Sequence, residues 1–259
     1  MPSDPPRESA GATDVSAILG GRLALRQSRT GHRAGTDTIL LAAAVPTAAE
    51  GLLIDAGSGV GTAGLAAGLD RPGLDLMLFD RDPDAVALAG QNLALNGLSE
   101  RGRAVAADLL DPKSRRAAGV LDNSAAIVIS NPPYLDEARS RRSPDESRAR
   151  AHVLEGSDGL ALWLRACAAL VATGGHLLVI HRAERLGDML SALEGRVGGV
   201  AVLPVHPRRD ADAIRVLVRG TKGSRAPLRL RPGLVLHGKD GGFTPEAEAI
   251  HRGEATISW

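Results

Sequence analysis

The sequence predicts an α/β fold, a mostly parallel sheet with helices on both faces, from three observations. Apolar runs of strand length alternate with helical patterns along most of the chain. A glycine-rich stretch follows directly on an early strand. Acidic residues close successive strands, at the edge where open α/β sheets take ligands.

The elements follow in order. Residues 1–14 are rich in Pro, Ser, Asp and Gly, have little to bury and read as a disordered tail. The remainder, 15–259, reads as one domain. An Ala/Leu-rich helix is expected over 38–45, a strand at 52–54, a small-residue helix over 60–69 and a strand at 74–79. A helix follows over 83–95, with Asp82 as N-cap and Gly97 just past its end. Strands come next at 103–107 and 125–129. A helix over 160–172 is expected to stop at Gly174-Gly175. A strand at 176–180, a helix over 184–193 and strands at 200–205 and 214–218 complete the core pattern. Only about eight residues join the last two strands, too few for a helical crossover, so they should pair antiparallel. That gives seven strands, one of them antiparallel. Beyond them, 227–236 reads as an extra hairpin arm or strand. Thr244 caps a short helix that opens with Pro245.

Composition narrows the function less than the pattern does. The net charge is +1, from 31 basic and 30 acidic residues, so overall charge predicts neither nucleic-acid nor membrane binding. Distribution says more. Arg139, Arg141, Arg142, Arg148 and Arg150 form one basic run, and Arg208, Arg209, Arg215, Arg219, Lys222, Arg225, Arg229 and Arg231 another. Each reads equally as a solvated surface or a polyanion contact. A single cysteine, Cys167, excludes an internal disulfide and sits at the spacing of a buried helix face. No signal peptide and no bilayer-spanning run is visible, and a reducing cytoplasm is the simplest setting. His32, His152, His181, His206 and His237 are scattered without metal-ligand spacing, so no metal is expected.

The loop Asp55-Ala56-Gly57-Ser58-Gly59-Val60-Gly61 allows a tight turn and lets backbone N–H groups approach a ligand. Its continuation to Gly64 also fits a dinucleotide fingerprint. Asp80 closes the next strand, where a carboxylate can accept from both hydroxyls of a ribose. NAD and S-adenosylmethionine both carry that ribose, so Asp80 does not separate them. Asp55, before the glycines, resembles the acid of the Asp/Glu-x-Gly-x-Gly-x-Gly loop of class I methyltransferases, where it faces the methionine side. Asp108, after the third strand, matches the acid that accepts from the cofactor's adenine amino group in those enzymes. An Asp at a strand end is also a common turn former.

The fourth strand runs into Ser130-Asn131-Pro132-Pro133-Tyr134. Asn131-Pro132-Pro133-Tyr134 in this position resembles the signature of enzymes that methylate adenine N6 or the amide of glutamine. The residue types suit that chemistry. Such a nitrogen is a poor nucleophile because its lone pair is delocalised. The Asn131 side-chain oxygen and the Pro132 carbonyl can each accept one of its N–H groups, favouring a pyramidal nitrogen with its lone pair free. The prolines stiffen the loop, and Tyr134 offers a flat face for stacking.

Four further stretches narrow the resemblance. They are Gln27 to Asp37, Ser143 to His152, Pro227 to His237 and Phe243 to Ile250. Together they are similar to the bacterial small-domain methyltransferases that act on adenine N6 in a valine tRNA. The resemblance implies a Rossmann-like fold, S-adenosylmethionine as cofactor and tRNA as partner. It implies an N-terminal lid over about 22–46, with Thr36 and Asp37 near the cofactor, although both read equally as helix-capping residues. It also implies a C-terminal extension from about 222. Arg141, Arg142, Arg148 and His152 would lie beside the substrate pocket, contacting RNA phosphates. The competing expectation is a glutamine-amide methyltransferase acting on a translation release factor. Such enzymes usually carry a helical substrate domain before the glycine loop, and only 54 residues precede Asp55 here. A non-catalytic cofactor-binding module and a nicotinamide reductase are the readings from other classes.

Overall fold

The computed structural model describes residues 13–28, 35–133 and 157–259. Its centre is a nine-stranded sheet. In chain order the strands are β1 (Thr13–Ile18), β2 (Leu23–Ser28), β3 (Gly51–Ala56), β4 (Leu74–Asp80), β5 (Gly102–Ala106), β6 (Ala125–Ser130), β7 (Val171–Arg182), β8 (Val197–His206), β9 (Arg215–Lys222), β10 (Arg229–Leu230) and β11 (Leu234–Val235). The helices are α1 (Thr36–Ala43), α2 (Thr62–Leu69), α3 (Pro83–Leu95), α4 (Pro112–Ala117), α5 (Ser157–Leu170), α6 (Leu186–Leu193) and α7 (Pro245–His251). The sheet order is β10-β8-β9-β7-β6-β3-β4-β5, with β11 also on β8. The strands β5, β4, β3, β6 and β7 are parallel, and β9 is antiparallel to both its neighbours.

Each face carries its own core. On one, Leu40 and Leu41 of α1, Leu65 of α2 and Leu93 of α3 pack on Leu53, Ile129, Ile180 and Leu217. On the other, Leu164 and Cys167 of α5 and Met189 and Leu193 of α6 cover Ile54, Met77, Val128 and Val218. Cys167 is a core residue, and burial pushes its thiol up to about 12.

Local chemistry fixes the helix ends. Asp82 accepts from the Asp84 amide at 3.0 Å with Pro83 in the first turn, and Thr244 accepts from the Ala247 amide at 3.2 Å ahead of Pro245.

The seven expected strands form the body of the sheet, and β10 and β11 add to its edge, making nine among the described residues. These two both run parallel to β8, so of the hairpin arm or strand expected over 227–236 it is the strand that forms, interrupted along the edge. Other boundaries differ from expectation. The helix expected over 160–172 ends at Leu170, and Gly174-Gly175 lie inside β7. There the register jumps from Ala125–Val171 to Ile127–His176, so 172–175 form a bulge, with Gly174 at φ 82°. The tail boundary at residue 14 falls within β1. Of the span expected as a lid, Leu23 and Leu25 of β2 and Ile39 to Ala42 of α1 are buried core.

The β1–β2 hairpin has no counterpart in the sequence reading. It is antiparallel, and its inner edge is held by asparagine side chains rather than by a strand. Asn92 accepts from the Arg26 amide at 2.7 Å and donates to the Arg26 and Val60 carbonyls, both at 3.0 Å. Asn96, one turn on along α3, accepts from the Ala24 amide at 2.9 Å and donates to the Ala24 carbonyl at 2.7 Å. Spacing of i and i+4 aligns the two amides on one helix face, where they complete the strand's hydrogen bonds.

Candidate active site

Parallel register brings four strand ends together. Asp55 of β3 lies opposite Ile129 of β6 and Leu78 of β4, and Asp80 of β4 lies opposite Ala106 of β5. The glycine loop, Asp80, Asp108 and Asn131 therefore share one edge.

The loop is built by close packing on both faces. Gly57, Gly59 and Gly61 all have positive φ, at 75°, 54° and 90°. A Cβ on Gly57 would come 2.7 Å from the Trp163 ring, and one on Gly61 2.7 Å from Leu78. Only glycine fits either position. Gly59 differs, since a Cβ there would meet nothing within 4 Å. Its glycine answers to backbone conformation and to open space on the outer side of the loop. The amides of Gly57 and Ser58 donate to the Phe79 carbonyl at 2.9 and 3.0 Å, tying the loop to the end of β4.

The acids are positioned by backbone amides. Asp80 accepts from Gly59 at 2.9 Å through Oδ2 and from Asp82 at 3.0 Å through Oδ1, which leaves a lone pair on each oxygen. Asp108 lies two residues beyond β5. It accepts from the Leu110 amide at 2.9 Å, while its own amide donates to Ser114 Oγ at 3.0 Å. Asp55 is 2% exposed and accepts from the Gly64 amide at 2.8 Å. Burial raises its carboxyl to about 7, the Gly64 N–H opposes that rise and the neighbouring Asp80 charge adds to it.

Asn131 follows β6 directly. Its Oδ1 is buried and has no hydrogen-bond partner among the described residues. Ser130 beside it donates to the Ala56 carbonyl at 2.7 Å and accepts from Trp163 Nε1 at 2.9 Å. Pro132 is buried and Pro133 exposed. Trp163 thus supports both the glycine loop and the Asn131 turn. The sequence reading missed it, because Trp163 sits in a helix that reads as plain core.

Thr36 and Asp37 open α1, with Gly35 as N-cap and no side-chain cap. Asp37 Oδ2 accepts from Arg215 Nε at 2.8 Å, and Thr36 Oγ1 lies 3.3 Å from His251 Nε2. Neither side chain caps the helix, while Asp37 stands as an acid in its first turn. Tyr134, Arg141, Arg142, Arg148 and His152 lie outside the described residues, as does Arg33. Among the described residues no group of three or more His, Cys, Asp or Glu side chains gathers to hold a metal ion, and no helix is long and apolar enough to cross a membrane.

These residues fit S-adenosylmethionine. Gly59 leaves open space at the loop, Asp80 has lone pairs for two ribose hydroxyls, and Asp55 is a carboxyl of near-neutral pKa for a cationic amino group.

Comparisons with known proteins agree. The family model described as Methyltransferase small domain matches residues 31–146. The release factor glutamine methyltransferase of Rhodospirillum rubrum is 30% identical over 227 residues, covering 83% of this chain and 66% of that protein, just under two thirds of its length. The tRNA1(Val) (adenine(37)-N6)-methyltransferase of Aeromonas salmonicida is 26% identical over 227 residues, covering 85% of this chain and 89% of that protein. A solved structure from Agrobacterium tumefaciens, described as a predicted O-methyltransferase, superposes with a TM-score of 0.69 at 29% identity, over 85% of this chain and 98% of that one. Fold and site define an S-adenosylmethionine-dependent methyltransferase. Within that class, residues 31–146 are similar to the methyltransferase small domain.

Proposed function

We propose that the chain methylates the exocyclic N6 of an adenine in tRNA. The observation that carries this is Asn131 Oδ1, a buried acceptor without a donor at the sheet edge beside the glycine loop. A planar NH2 group supplies the missing donor. Asn131 Oδ1 accepts one of its N–H groups and the Pro132 carbonyl the other, which draws the nitrogen lone pair out of conjugation. Asp80 holds the cofactor's ribose, Asp108 its adenine amino group and Asp55 its methionine amino group, with Thr36 and Asp37 lining the approach. When bound, S-adenosylmethionine supplies an electrophilic sulfonium methyl. Tyr134 stacks on the target base, and Arg141, Arg142, Arg148 and His152 face the RNA. The setting is the cytoplasm.

Adenine is preferred over a protein amide on coverage. The similarity extends over 89% of the tRNA-acting relative, against 66% of the glutamine-acting one. The second reading, an N5-glutamine methyltransferase acting on a translation factor, is favoured by the higher identity of 30%. Nucleoside mass spectrometry of tRNA from a deletion strain separates them. Loss of N6-methyladenosine, restored by wild type and not by Asn131→Ala, supports the adenine reading. An unchanged tRNA profile directs attention to protein amides.

A further inference from the structure

The basic run in the C-terminal third divides by partner. Arg215 is paired with Asp37. Lys222 Nζ donates to Asn123 Oδ1 at 2.6 Å and to the Ala168 carbonyl at 3.1 Å. Arg219, Arg229 and Arg231 have no carboxylate within ion-pair distance among the described residues.

Register places these three together. Arg219 on β9 lies opposite Ala201 on β8, and Ala201 lies opposite Arg229 on β10. Paired residues project from the same face, so Arg219 and Arg229 stand one strand apart on one side, about 10 Å between backbones. Arg231 is anchored by its amide to the Val202 carbonyl at 2.8 Å. The Arg219 guanidinium stacks over Trp259, 4.9 Å from the ring centre. Trp259 is itself fixed, donating to the Ala44 carbonyl at 2.7 Å.

This arrangement is unfavourable in isolation. Burial first, then the charges of Arg229 and Arg231, lower the Arg219 pKa. The Arg231 Nε is buried without a hydrogen-bond acceptor among the described residues. Convergent guanidinium groups with a desolvated, unmatched donor lack an anion that accepts from several of them at once, and a phosphate has the geometry to do so. Arg229 is itself exposed, which puts the cluster within reach of a large partner.

We propose that Arg219, Arg229 and Arg231 seat a backbone phosphate of the tRNA substrate, on the sheet face flanked by Trp259. The inference rests on the tRNA reading above. The seat anchors the folded RNA away from the Asn131 edge, contributing affinity and no base specificity.

The test is fluorescence anisotropy of labelled unmodified tRNA, titrated with the full chain across a salt series. The variants are Arg229→Gln with Arg231→Gln, and Leu230→Ala as a neighbouring control. The double variant should bind roughly tenfold more weakly, with a log–log salt slope shallower by about one, while Leu230→Ala keeps the wild-type slope. A thermal shift by S-adenosylmethionine equal to that of wild type establishes that the double variant is folded. Wild-type tRNA affinity with an unchanged slope in the double variant overturns the seat and leaves the tRNA reading standing. Absence of wild-type binding even at low salt overturns the tRNA reading and the seat together. Inorganic phosphate at matched ionic strength is the second arm. Retained tRNA binding supports an RNA seat, whereas displacement at millimolar phosphate assigns the arginines to a small anion and overturns it.

Discussion

A buried carbonyl oxygen with no donor costs about 1–3 kcal/mol, and Asn131 Oδ1 is such an atom. On the proposed function, the substrate supplies that donor. Asn131→Ala should therefore lower methyl transfer by about a hundredfold or more while leaving the melting temperature unchanged or raised. Single-turnover transfer and calorimetry on the same preparation check both halves. Asp55 gives a pH prediction. Its folded pKa, about 7, lies above the ordinary carboxyl value, so the folded chain holds a proton that the unfolded chain releases. Stability contributed this way is full below about pH 4 and is lost as pH rises towards 7. Asp55→Asn keeps an acceptor for the Gly64 amide and removes that loss. The cofactor-free variant should melt several degrees above wild type at pH 8 and level with it near pH 4, as calorimetry across pH would show. At this scale the sequence was informative where chemistry is local. The placement of Asp55, Asp80 and Asp108 at successive strand ends was legible because each lies at, or within two residues of, the end of a strand that the sequence pattern marks. Trp163 was not, since its contact with Gly57 spans more than a hundred residues and leaves no mark in its own helix.

Among the elements, the hairpin of β1 and β2 depends on two asparagines of α3. Asn92 is fully buried and serves three backbone groups. Asn92→Leu strands those groups and should cost about 2–4 kcal/mol, with faster amide hydrogen exchange at Arg26 and slower loss elsewhere in the sheet. An unchanged exchange rate at Arg26 would contradict the asparagine contacts. The helix over Pro83–Leu95 was legible to the residue, because Asp82, Pro83 and Gly97 mark its ends chemically. The antiparallel pairing of β8 with β9 was legible from the shortness of their connection. The hairpin was not, because β1 is exposed along most of its length and β2 finds its partner in side chains, which no strand periodicity announces. The glycine pair at 174–175 misled for a related reason. Glycine marks a bulge as readily as a helix end, and only register tells them apart.

For the whole molecule, the sheet order and the shared strand edge make cofactor binding and folding one problem. Ligand at a hundred times its dissociation constant stabilises by about 2.7 kcal/mol, roughly 5–10 °C in a chain of this size. S-adenosylmethionine should give that shift to wild type and Asn131→Ala alike, and Asp80→Ala should abolish it in a thermal melt. The fold class was legible because alternation of strand and helix is a property of the entire chain. The choice of acceptor was less so, because Asn131-Pro132-Pro133-Tyr134 suits any planar NH2 nitrogen. The most direct measurement is therefore transfer of a labelled methyl group from S-adenosylmethionine to unmodified tRNA by the purified chain, followed by digestion to nucleosides. The account predicts label in N6-methyladenosine with wild type and none with Asn131→Ala. Label absent from tRNA but present on a glutamine of a release factor supplied in parallel would contradict it.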